Sequence, residues 1–565
     1  MLSSGADRGL AEEERVLVGS WPRRILVGLG PVVLAVLLLG FRLGGTGLWT
    51  DESIYAQTAR EMARSGDWIT PTLCGSPYLI KPVLYHWLAA TASHLAGENE
   101  LAARIPQALA GCLLVIFLGG IAARALGRGE ERSAGGPVPG GMPWLAGSVL
   151  LTAPGFAIGA RVAGMDVLLT LFVTSAIVCF HRGYRDPATR RAWFLASGLS
   201  GGLGMLAKGP LGLFIPTLVI LIFLAARGDL PSAFSRPALG GAVLAVVTAS
   251  IWYLPVWIRH GGKFTRVFWV GNNLARISEP VSDHAGPPTY YLPIFLAAFL
   301  PWSLPFAVAF GKVLRRVWKQ RTSACSPEDL LLIVWFAAPF LFYSAIATKL
   351  PGYLLPIFPA AALLLAREWQ REQSAARRRG GGAFRIACAL GVTALPGVAL
   401  AVPFLLEYRY EIRPPWIWAF PVLAFAAALP AALSSLLRRG KLRAVLWVAA
   451  AAVFTLGLAR FVVAPVEPFE SMKGFAERLT RLGKAGYPVA LAGPHLRGTL
   501  FYTGCSVPHP RDINDLPRPG PGLPLYCLVK DRFRPDLEDW ARRGRFHLRT
   551  VSRTGALSLM EVSWE

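Results

Sequence analysis

Long apolar runs recur along the chain from Arg24 almost to Pro465, and each is long enough, or nearly so, for a helix that crosses a bilayer. The apolar residues are continuous and do not alternate with polar ones, which predicts helices and not lipid-facing strands. About 13 crossings satisfy the positive-inside rule. They are predicted at Arg24–Leu43, Ile105–Leu126, Pro143–Ala160, Asp166–Phe180, Trp193–Ala207, Leu211–Ala226, Leu239–Ile258, Tyr290–Phe310, Leu330–Ala347, Tyr353–Ala366, Ile386–Leu406, Trp416–Leu436 and Val445–Pro465. We therefore expect an all-α polytopic membrane bundle.

The first external loop, residues 44–104, is too long and too regularly patterned to be a plain connection. Apolar residues recur at helical spacing over Ser53–Arg64 and again over Lys81–Leu95, which predicts two amphipathic helices lying in the membrane interface. The stretch between them is rich in Gly and Pro, as a loop is.

After Pro465 the pattern becomes that of a small α/β domain of about 100 residues. Its predicted elements are a helix at Glu470–Lys484, strands at Pro488–Ala492 and Leu523–Val529, a helix at Asp536–Arg543 and a hairpin of His547–Arg553 with Leu557–Val562. The predicted division of the chain is a tail of residues 1–23, a membrane domain of residues 24–465 and a C-terminal domain of residues 466–565.

Composition agrees with a membrane protein, since 53% of the residues are hydrophobic and 16% are charged. The formal net charge is +24, but the basic residues lie in short clusters between apolar runs. This distribution reports topology and not nucleic-acid binding. It predicts a polytopic membrane protein with a cytoplasmic N-terminus and, after an odd number of crossings, a C-terminal domain on the external side.

The seven cysteines are scattered and contain no CxxC pair, so a disulfide framework is not expected. Cys505 and Cys527 both fall in the predicted external domain. One bridge between them therefore stays open as an expectation.

Two adjacent acids, Asp51 and Glu52, stand where the first span leaves the membrane, and Asp166 begins the fourth span on the same predicted side. Polar residues can simply mark the end of a span, and Asp166 could be only a helix N-cap. Lys81, Lys208 and Lys349 lie beside prolines at predicted external helix ends, where lysine could also snorkel.

The collection of both charge signs on one membrane face favours a site. Carboxylates with lysines suit a reaction that deprotonates a hydroxyl or amine while an anionic lipid phosphate departs. Asp51 is the predicted base. Any of the three lysines could hold the phosphate, with Arg60, Arg161 or Arg276 as bidentate partners.

The loop Phe268–Pro293 carries Arg276 and His284 and is long enough to fold over a site as a lid. A solvated connector is the equally weighted alternative. The chain has no GxxxxGK[ST] and no dinucleotide fingerprint, so no nucleotide-binding fold is expected.

Five stretches together resemble the GT-C membrane glycosyltransferases, in the bacterial branch that includes lipid A aminoarabinose transferases and dolichyl-phosphate-mannose protein mannosyltransferase-like proteins. The stretches are LWTDESIYAQTAREMARSGDWITPTLCGSPYLIKPVLYHW, ARVAGMDVLLTLF, GMLAKGPLGLFIP, NNLARISEPVSDHAGPPTYYLP and ATKLPGYLLPIFPAAALLLA. They occur in the family's order, and the first and last contain Tyr55 and Tyr353, which we add to the candidate substrate-binding residues.

The resemblance implies a polyprenyl-phosphate sugar donor, one transfer with inversion at the anomeric carbon and a site facing the periplasm. The acceptor would be lipid A, another glycolipid or a protein. By the same resemblance Asp51 and Asp166 match the family's acidic positions, Lys81 matches a phosphate contact and Arg276 falls near another. Ile54 stands where the aminoarabinose transferases carry Arg, which weakens that particular activity as an expectation.

Two other classes of protein fit part of the pattern. A transporter or lipid flippase would place its ionisable groups near the bilayer midplane, whereas these acids lie at span ends. A catalytically inactive scaffold would not need the charges on one face. No cofactor is implied; a divalent metal stays open because two carboxylates could bind one, although no tight ligand cluster marks it.

Overall fold

The computed structural model describes residues 30–122, 125–126, 142–279, 285–376, 382–412, 414–436, 440–493, 496–510 and 512–564. The predicted N-terminal tail, residues 1–23, and the candidate His284 lie outside these ranges.

Helices dominate the chain as far as residue 470, and a helix coincides with every one of the predicted crossings. The helices of this part are Gly30–Gly40, Thr50–Ser65, Leu84–Ala96, Glu100–Phe117, Met142–Thr152, Pro154–Gly159, Asp166–Arg185, Arg190–Lys208, Leu211–Arg227, Arg236–Phe264, Ala275–Ser278, Tyr291–Ala298, Ser303–Ala324, Pro327–Ala345, Phe358–Ala376, Gly382–Tyr410, Ala419–Leu436, Gly440–Leu458 and Ala464–Glu470. The all-α membrane bundle is confirmed, together with the two amphipathic helices of the first external loop.

Within the described ranges, seven helical stretches are long and apolar enough to span a bilayer, or eight if one bent pair counts as a single span. The predicted number of about 13 crossings is therefore not established by helix length and hydropathy. Several of the predicted crossings are short helices, such as Leu211–Arg227, or broken ones.

One predicted crossing, Tyr290–Phe310, is not a straight helix. Its two halves, Pro288–Ala298 and Ser303–Gln320, are bent by 117°. Pro301 lies at the break and supplies no amide hydrogen for a continuing helix, which accounts for the interruption. By contrast, Gly209 allows the tight turn between two predicted crossings, because its φ of +85° is readily adopted by glycine.

The bundle has a continuous apolar interior and an apolar exterior. Trp302, Trp335 and Trp447 are fully buried in the core. Along the helix Arg236–Phe264, large apolar side chains are instead exposed, among them Val243, Ile251 and Ile258. Exposed apolar surface of this extent is expected where lipid, not water, surrounds a helix.

Ion pairs cluster at one end of the helix bundle. Asp329 accepts hydrogen bonds from Arg316, Arg367 and Arg371, and Glu328 faces His181. These residues stand at the start of the helix Pro327–Ala345, whose other end lies about 28 Å away by helical rise. The acids and basic clusters of this end are thus separated by a membrane thickness from the residues around Asp51 and Asp166.

The C-terminal domain is a four-stranded sheet with a helix on each face, as the pattern predicts. Its strands are β3 (Val489–Ala492), β4 (Leu525–Lys530), β5 (Phe546–Thr554) and β6 (Leu557–Trp564), in the order β3-β4-β6-β5, while β1 (Thr72–Leu73) and β2 (Ser76–Pro77) form a small hairpin in the first external loop. The strands β3 and β4 are parallel and the other pairs are antiparallel. Helix Lys473–Lys484 packs on one face and Arg534–Gly544 on the other.

A disulfide joins Cys74 of the first external loop to Cys505 of the C-terminal domain, 431 residues apart. The suggested partnership of Cys505 with Cys527 is therefore wrong. Cys527 lies on β4 and is buried in the core between the sheet and its helix, out of reach of the domain surface. The bridge fixes the C-terminal domain to the loop that contains Asp51.

We predict that alkylation of the denatured protein labels five thiols before reduction and seven after it, because only Cys74 and Cys505 are bridged. Cys74→Ser should give six labels in both conditions, measured as mass by intact-protein mass spectrometry. The Cys74→Ser substitution should also lower the thermal unfolding temperature, because the disulfide no longer restricts the unfolded chain.

The matched control is Cys112→Ser, which removes a free thiol and should give four labels before reduction and six after it. Seven labels in the unreduced wild type would contradict the bridge.

Candidate active site

The helix Thr50–Ser65, here called the site helix, begins ten residues after the helix Gly30–Gly40 ends and carries Asp51 and Glu52 in its first turn. Successive helical residues point about 100° apart. Asp51 is exposed, whereas Glu52 is only 2% exposed and faces the protein interior. The two acids of the pair therefore occupy opposite environments.

Four donors surround the carboxylate of Glu52. Arg104 donates through Nε to Oε1 and through Nη2 to Oε2, both at 2.8 Å. The amide of Trp49 donates to Oε2 at 3.0 Å, and the amide of Ala163 donates to Oε1 at 2.7 Å. Each oxygen of this carboxylate therefore already accepts two hydrogen bonds. These contacts hold the first turn of the site helix in place; the catalytic role that we predict for Glu52, beside Asp51 and Asp166, stays a prediction.

Arg104 was not among the predicted site residues. Besides Glu52, its guanidinium donates to the backbone carbonyls of Leu43 at 3.0 Å, Thr46 at 2.9 Å and Gly47 at 2.9 Å. It thereby holds the segment that enters the site helix. The argument that singled out the lysines, a cation at an external helix end, applies equally to Arg104 and would have found it.

Asp166 begins the helix Asp166–Arg185 and pairs with Lys208, the last residue of the helix Arg190–Lys208. The ring of Tyr353 lies 5.0 Å from the Lys208 ammonium. Gly352 lies against the same carboxyl group: a methyl group there would be 3.0 Å from Cγ of Asp166, too close for an undisturbed contact. Gly352 was also absent from the predicted site and, unlike Arg104, it is marked by no local sequence pattern.

The side chain of Lys81 lies close to the other charged residues of the site. Burial, and then the charges of Arg276 and Lys208, lower the pKa of Lys81 to about 8, while Asp166 and Asp51 oppose this shift. Asp51, Asp166 and two cations, Arg276 and Lys208, are therefore close enough to act on the Lys81 ammonium group. Lys81, Lys208 and Arg276, three of the six cations predicted as phosphate ligands, thus come together.

Arg276 is held over the site by hydrogen bonds. Its Nη1 donates to the Tyr353 hydroxyl at 3.3 Å and its Nη2 to the Asn272 side chain at 3.2 Å. Asn272 in turn donates to the carbonyl of Ile80, next to Lys81, at 2.6 Å. Part of the predicted lid, residues 268–279, is thus helical and fastened to the first external loop.

Aromatic residues line one side of the candidate site. Burial raises the pKa of the Tyr55 hydroxyl well above its usual range, and the charges of Tyr78, Asp51 and Asp166 add to the rise. His86 is enclosed by the rings of Tyr55 and Tyr78, at centroid distances of 6.2 and 6.3 Å. Both phenols are kept neutral, so they can donate hydrogen bonds to a substrate. Tyr78 was missed although it stands three residues before Lys81.

Two predicted phosphate ligands are occupied elsewhere. The Lys349 ammonium donates to the carbonyls of Tyr343, Ser344 and Ile346 at 3.1, 2.7 and 2.5 Å. All three of its hydrogens thus cap the end of one helix. Arg60 donates to the carbonyl of Phe501 at 2.6 Å and pairs with Glu98 at 3.0 Å, so it connects the site helix to the C-terminal domain.

For a metal, the described residues contain one group of three potential ligands, Glu61 with Cys74 and Cys505. The two sulfurs are bonded to each other, so they are not available as thiolate ligands. Among the described residues, Asp51 and Asp166 belong to no such group, and Asp166 is neutralised by Lys208.

The arrangement as a whole offers one free carboxylate, one neutralised carboxylate, three cations and two neutral phenols on one face. It can accept a proton at Asp51 and can bind a phosphate at Lys81, Lys208 and Arg276. A sugar would find hydrogen-bond donors in the phenols between them.

The chain is similar in sequence to several known proteins. A family model described as "Dolichyl-phosphate-mannose-protein mannosyltransferase" matches residues 80–254. The chain is 33% identical over 344 residues to an "Undecaprenyl phosphate-alpha-4-amino-4-deoxy-L-arabinose arabinosyl transferase" of Edwardsiella ictaluri, covering 60% of this chain and 58% of that relative. It thus spans a little over half the length of this relative. A protein of the same name from Pseudomonas aeruginosa is 31% identical over 415 residues, with 68% of this chain and 70% of the relative covered.

The fold has counterparts among solved structures. The crystal structure of ArnT from Cupriavidus metallidurans bound to undecaprenyl phosphate superposes with a TM-score of 0.70 at 21% identity, covering 96% of this chain and 98% of that one. The apo oligosaccharyltransferase of Archaeoglobus fulgidus superposes with a TM-score of 0.50 at 13% identity, covering 95% and 74%. The extent of the match to the Pseudomonas protein, together with this fold, shows that the chain belongs to the undecaprenyl phosphate-aminoarabinose arabinosyl transferase family of GT-C membrane glycosyltransferases.

Proposed function

We propose that the protein is an inner-membrane glycosyltransferase that moves a sugar from undecaprenyl phosphate to a periplasmic acceptor, with lipid A as the foremost candidate and another glycolipid or a protein as the others. The single observation that carries this proposal is the exposed Asp51 in one charged cluster with three cations, Lys81, Lys208 and Arg276. The names of the relatives support an undecaprenyl-phosphate sugar as the donor.

The donor phosphate lies among the cations. Lys208 and Lys81 offer point charges, and Arg276 offers a planar fork that can bind two phosphate oxygens. The Tyr353 hydroxyl fixes the guanidinium of Arg276. Neutralising the phosphate in this way makes it a competent leaving group without a nucleotide.

Asp51 acts on the acceptor. Within the described residues its carboxylate forms no ion pair, so it is free to accept a proton. The acceptor oxygen forms a bond to the anomeric carbon, its proton passes to Asp51, and the bond from that carbon to the phosphate oxygen breaks. Its electron pair stays on undecaprenyl phosphate. A single displacement inverts the configuration. Asp166 keeps Lys208 in place, while Glu52 and Arg104 hold the helix end that carries Asp51.

The disulfide supports a periplasmic location for the site. Cys74 lies in the first external loop and Cys505 in the C-terminal domain, and disulfides persist in oxidising compartments such as the periplasm. This supports a periplasmic pocket and C-terminal domain, with the N-terminus in the cytoplasm. The five thiols of the other cysteines are all at least partly buried.

The sugar is the open part of the proposal. Ile54 occupies the position of the family's Arg and is 5% exposed, so it packs inward. The name of the relatives favours aminoarabinose, and a donor carrying that sugar is the first to test. A transporter would hold its charges near the midplane, but Asp166 is the first residue of one helix and Lys208 the last of another.

Asp51→Asn should lower turnover by about a hundredfold or more, because a positioned base is lost. The measurement is sugar release from purified undecaprenyl-phosphate aminoarabinose in proteoliposomes with lipid A. Asp536→Asn, an exposed acid of the C-terminal domain, is the matched control and should leave turnover unchanged. Near-normal turnover of a folded Asp51→Asn protein would remove Asp51 as the base.

The apparent donor affinity should fall as pH rises through about 8. Lys81 is charged below its pKa of about 8 and neutral above it, so its attraction for the donor phosphate is lost on the alkaline side. The donor KM measured from pH 6.5 to 9.5 checks this. Lys81→Arg should flatten the profile, since a guanidinium stays charged throughout; an unchanged profile would show that another group titrates.

Gly352→Ala should lower turnover by roughly ten- to a hundredfold, because the added methyl group displaces the Asp166 carboxylate by a fraction of an ångström or more. Gly397→Ala is the control, since a methyl group there meets nothing within 4 Å. Thermal melting of both variants separates displacement of the site from unfolding. Equal activities of the two variants would contradict the positioning role of Gly352.

A further inference from the structure

The turn Arg497–Thr499 of the C-terminal domain displays one arginine on a rigid base. Leu496 is 1% exposed and Thr499 is fully buried, with its hydroxyl donating to the Leu496 carbonyl at 2.8 Å. Arg497 itself is exposed. Its backbone is therefore anchored on both sides while its side chain is free to reach outward.

This turn packs on the first turn of the site helix. A methyl group at Gly498 would lie 3.5 Å from Cα of Thr50, the residue before Asp51. The amide of Phe501 donates to the Ser53 hydroxyl at 3.0 Å, and the amide of Leu48 donates to the Tyr502 hydroxyl at 2.6 Å. Asp51 thus lies within a stretch, residues 48–53, that is fastened to residues 498–502.

The charges of this edge converge on Tyr78. Burial raises the pKa of the Tyr78 hydroxyl, Asp51 raises it further, and Arg497 and Arg276 lower it. The phenol therefore lies within the field of the proposed base and of one arginine from each side of the pocket.

Arg497 differs from its neighbours in its pairing. Lys473 pairs with Glu100 at 2.8 Å and Arg60 pairs with Glu98 at 3.0 Å. Among the residues that the structure describes, Arg497 has no such carboxylate partner. An unpaired guanidinium beside a base is available to an anionic ligand.

We infer that Arg497 forms the acceptor side of the pocket, where it binds an anionic group of the acceptor, a phosphate or a carboxylate. This inference rests on the proposed glycosyl transfer. The donor phosphate is already met by Lys81, Lys208 and Arg276 around Asp166. Arg497 approaches from the opposite element, the C-terminal domain, beside the carboxylate that must touch the acceptor. The C-terminal domain is thus part of the substrate site and not only a support.

The test measures acceptor and donor KM separately, with full-length protein in proteoliposomes, undecaprenyl-phosphate aminoarabinose as donor and lipid A as acceptor. Arg497→Gln should raise the acceptor KM about tenfold and leave the donor KM within about twofold, as expected for loss of one charged hydrogen-bonding group. Arg497→Lys should restore part of the affinity. Arg542→Gln, an exposed arginine on the far helix of the same domain, should behave as wild type.

A rise in donor KM would assign Arg497 to the donor phosphate and overturn the inference, and so would an unchanged acceptor KM. Raised NaCl should increase the acceptor KM more for the wild-type protein than for Arg497→Gln. A purely structural role of Arg497 would not produce this difference. Absence of any transfer by the wild-type protein would instead defeat the proposed function itself, and the inference with it.

Discussion

The buried ion pair between Glu52 and Arg104 is the interaction on which the site depends. Each partner is almost fully buried, and each is saturated: Glu52 by four donors, Arg104 by the carboxylate and three backbone carbonyls. Such a pair is costly to bury but still costlier to break, because removing one partner leaves an uncompensated charge, at about 3–5 kcal/mol. It connects the exit of the first span, the site helix and the loop before Asp166.

That connection explains why two acids stand side by side. The helix directs Glu52 inward to the ion pair and leaves Asp51 at the surface, where it is free to take a proton. The amide of Ala163 binds the same Glu52 carboxylate three residues before Asp166. One buried acid therefore helps to set the positions of Asp51 and Asp166, the two acids of the proposed site.

The C-terminal domain is held to this assembly by several independent contacts. The Cys74–Cys505 bridge, the stacking of Arg60 on Phe501 at 3.6 Å and the bond from Phe501 to Ser53 all join it to the first external loop. In a soluble domain appended by a flexible linker, none of these would be required. Their number indicates that the edge of the pocket is shared between the membrane domain and the C-terminal domain.

The helices and the small α/β domain could be predicted from the sequence, because apolar continuity and helical periodicity are local properties of the chain. The interaction partner of each charged side chain could not be predicted in this way. Lys208 and Lys349 both follow helices beside a proline, yet one reaches Asp166 and the other caps its own helix. Glu52 resembles Asp51 in the sequence but is buried. The partners of Cys505 and Arg104 lie far along the chain or on another element. Only the packing of distant segments decides such pairings, since an ion pair or a disulfide depends on ångström distances that no local pattern encodes.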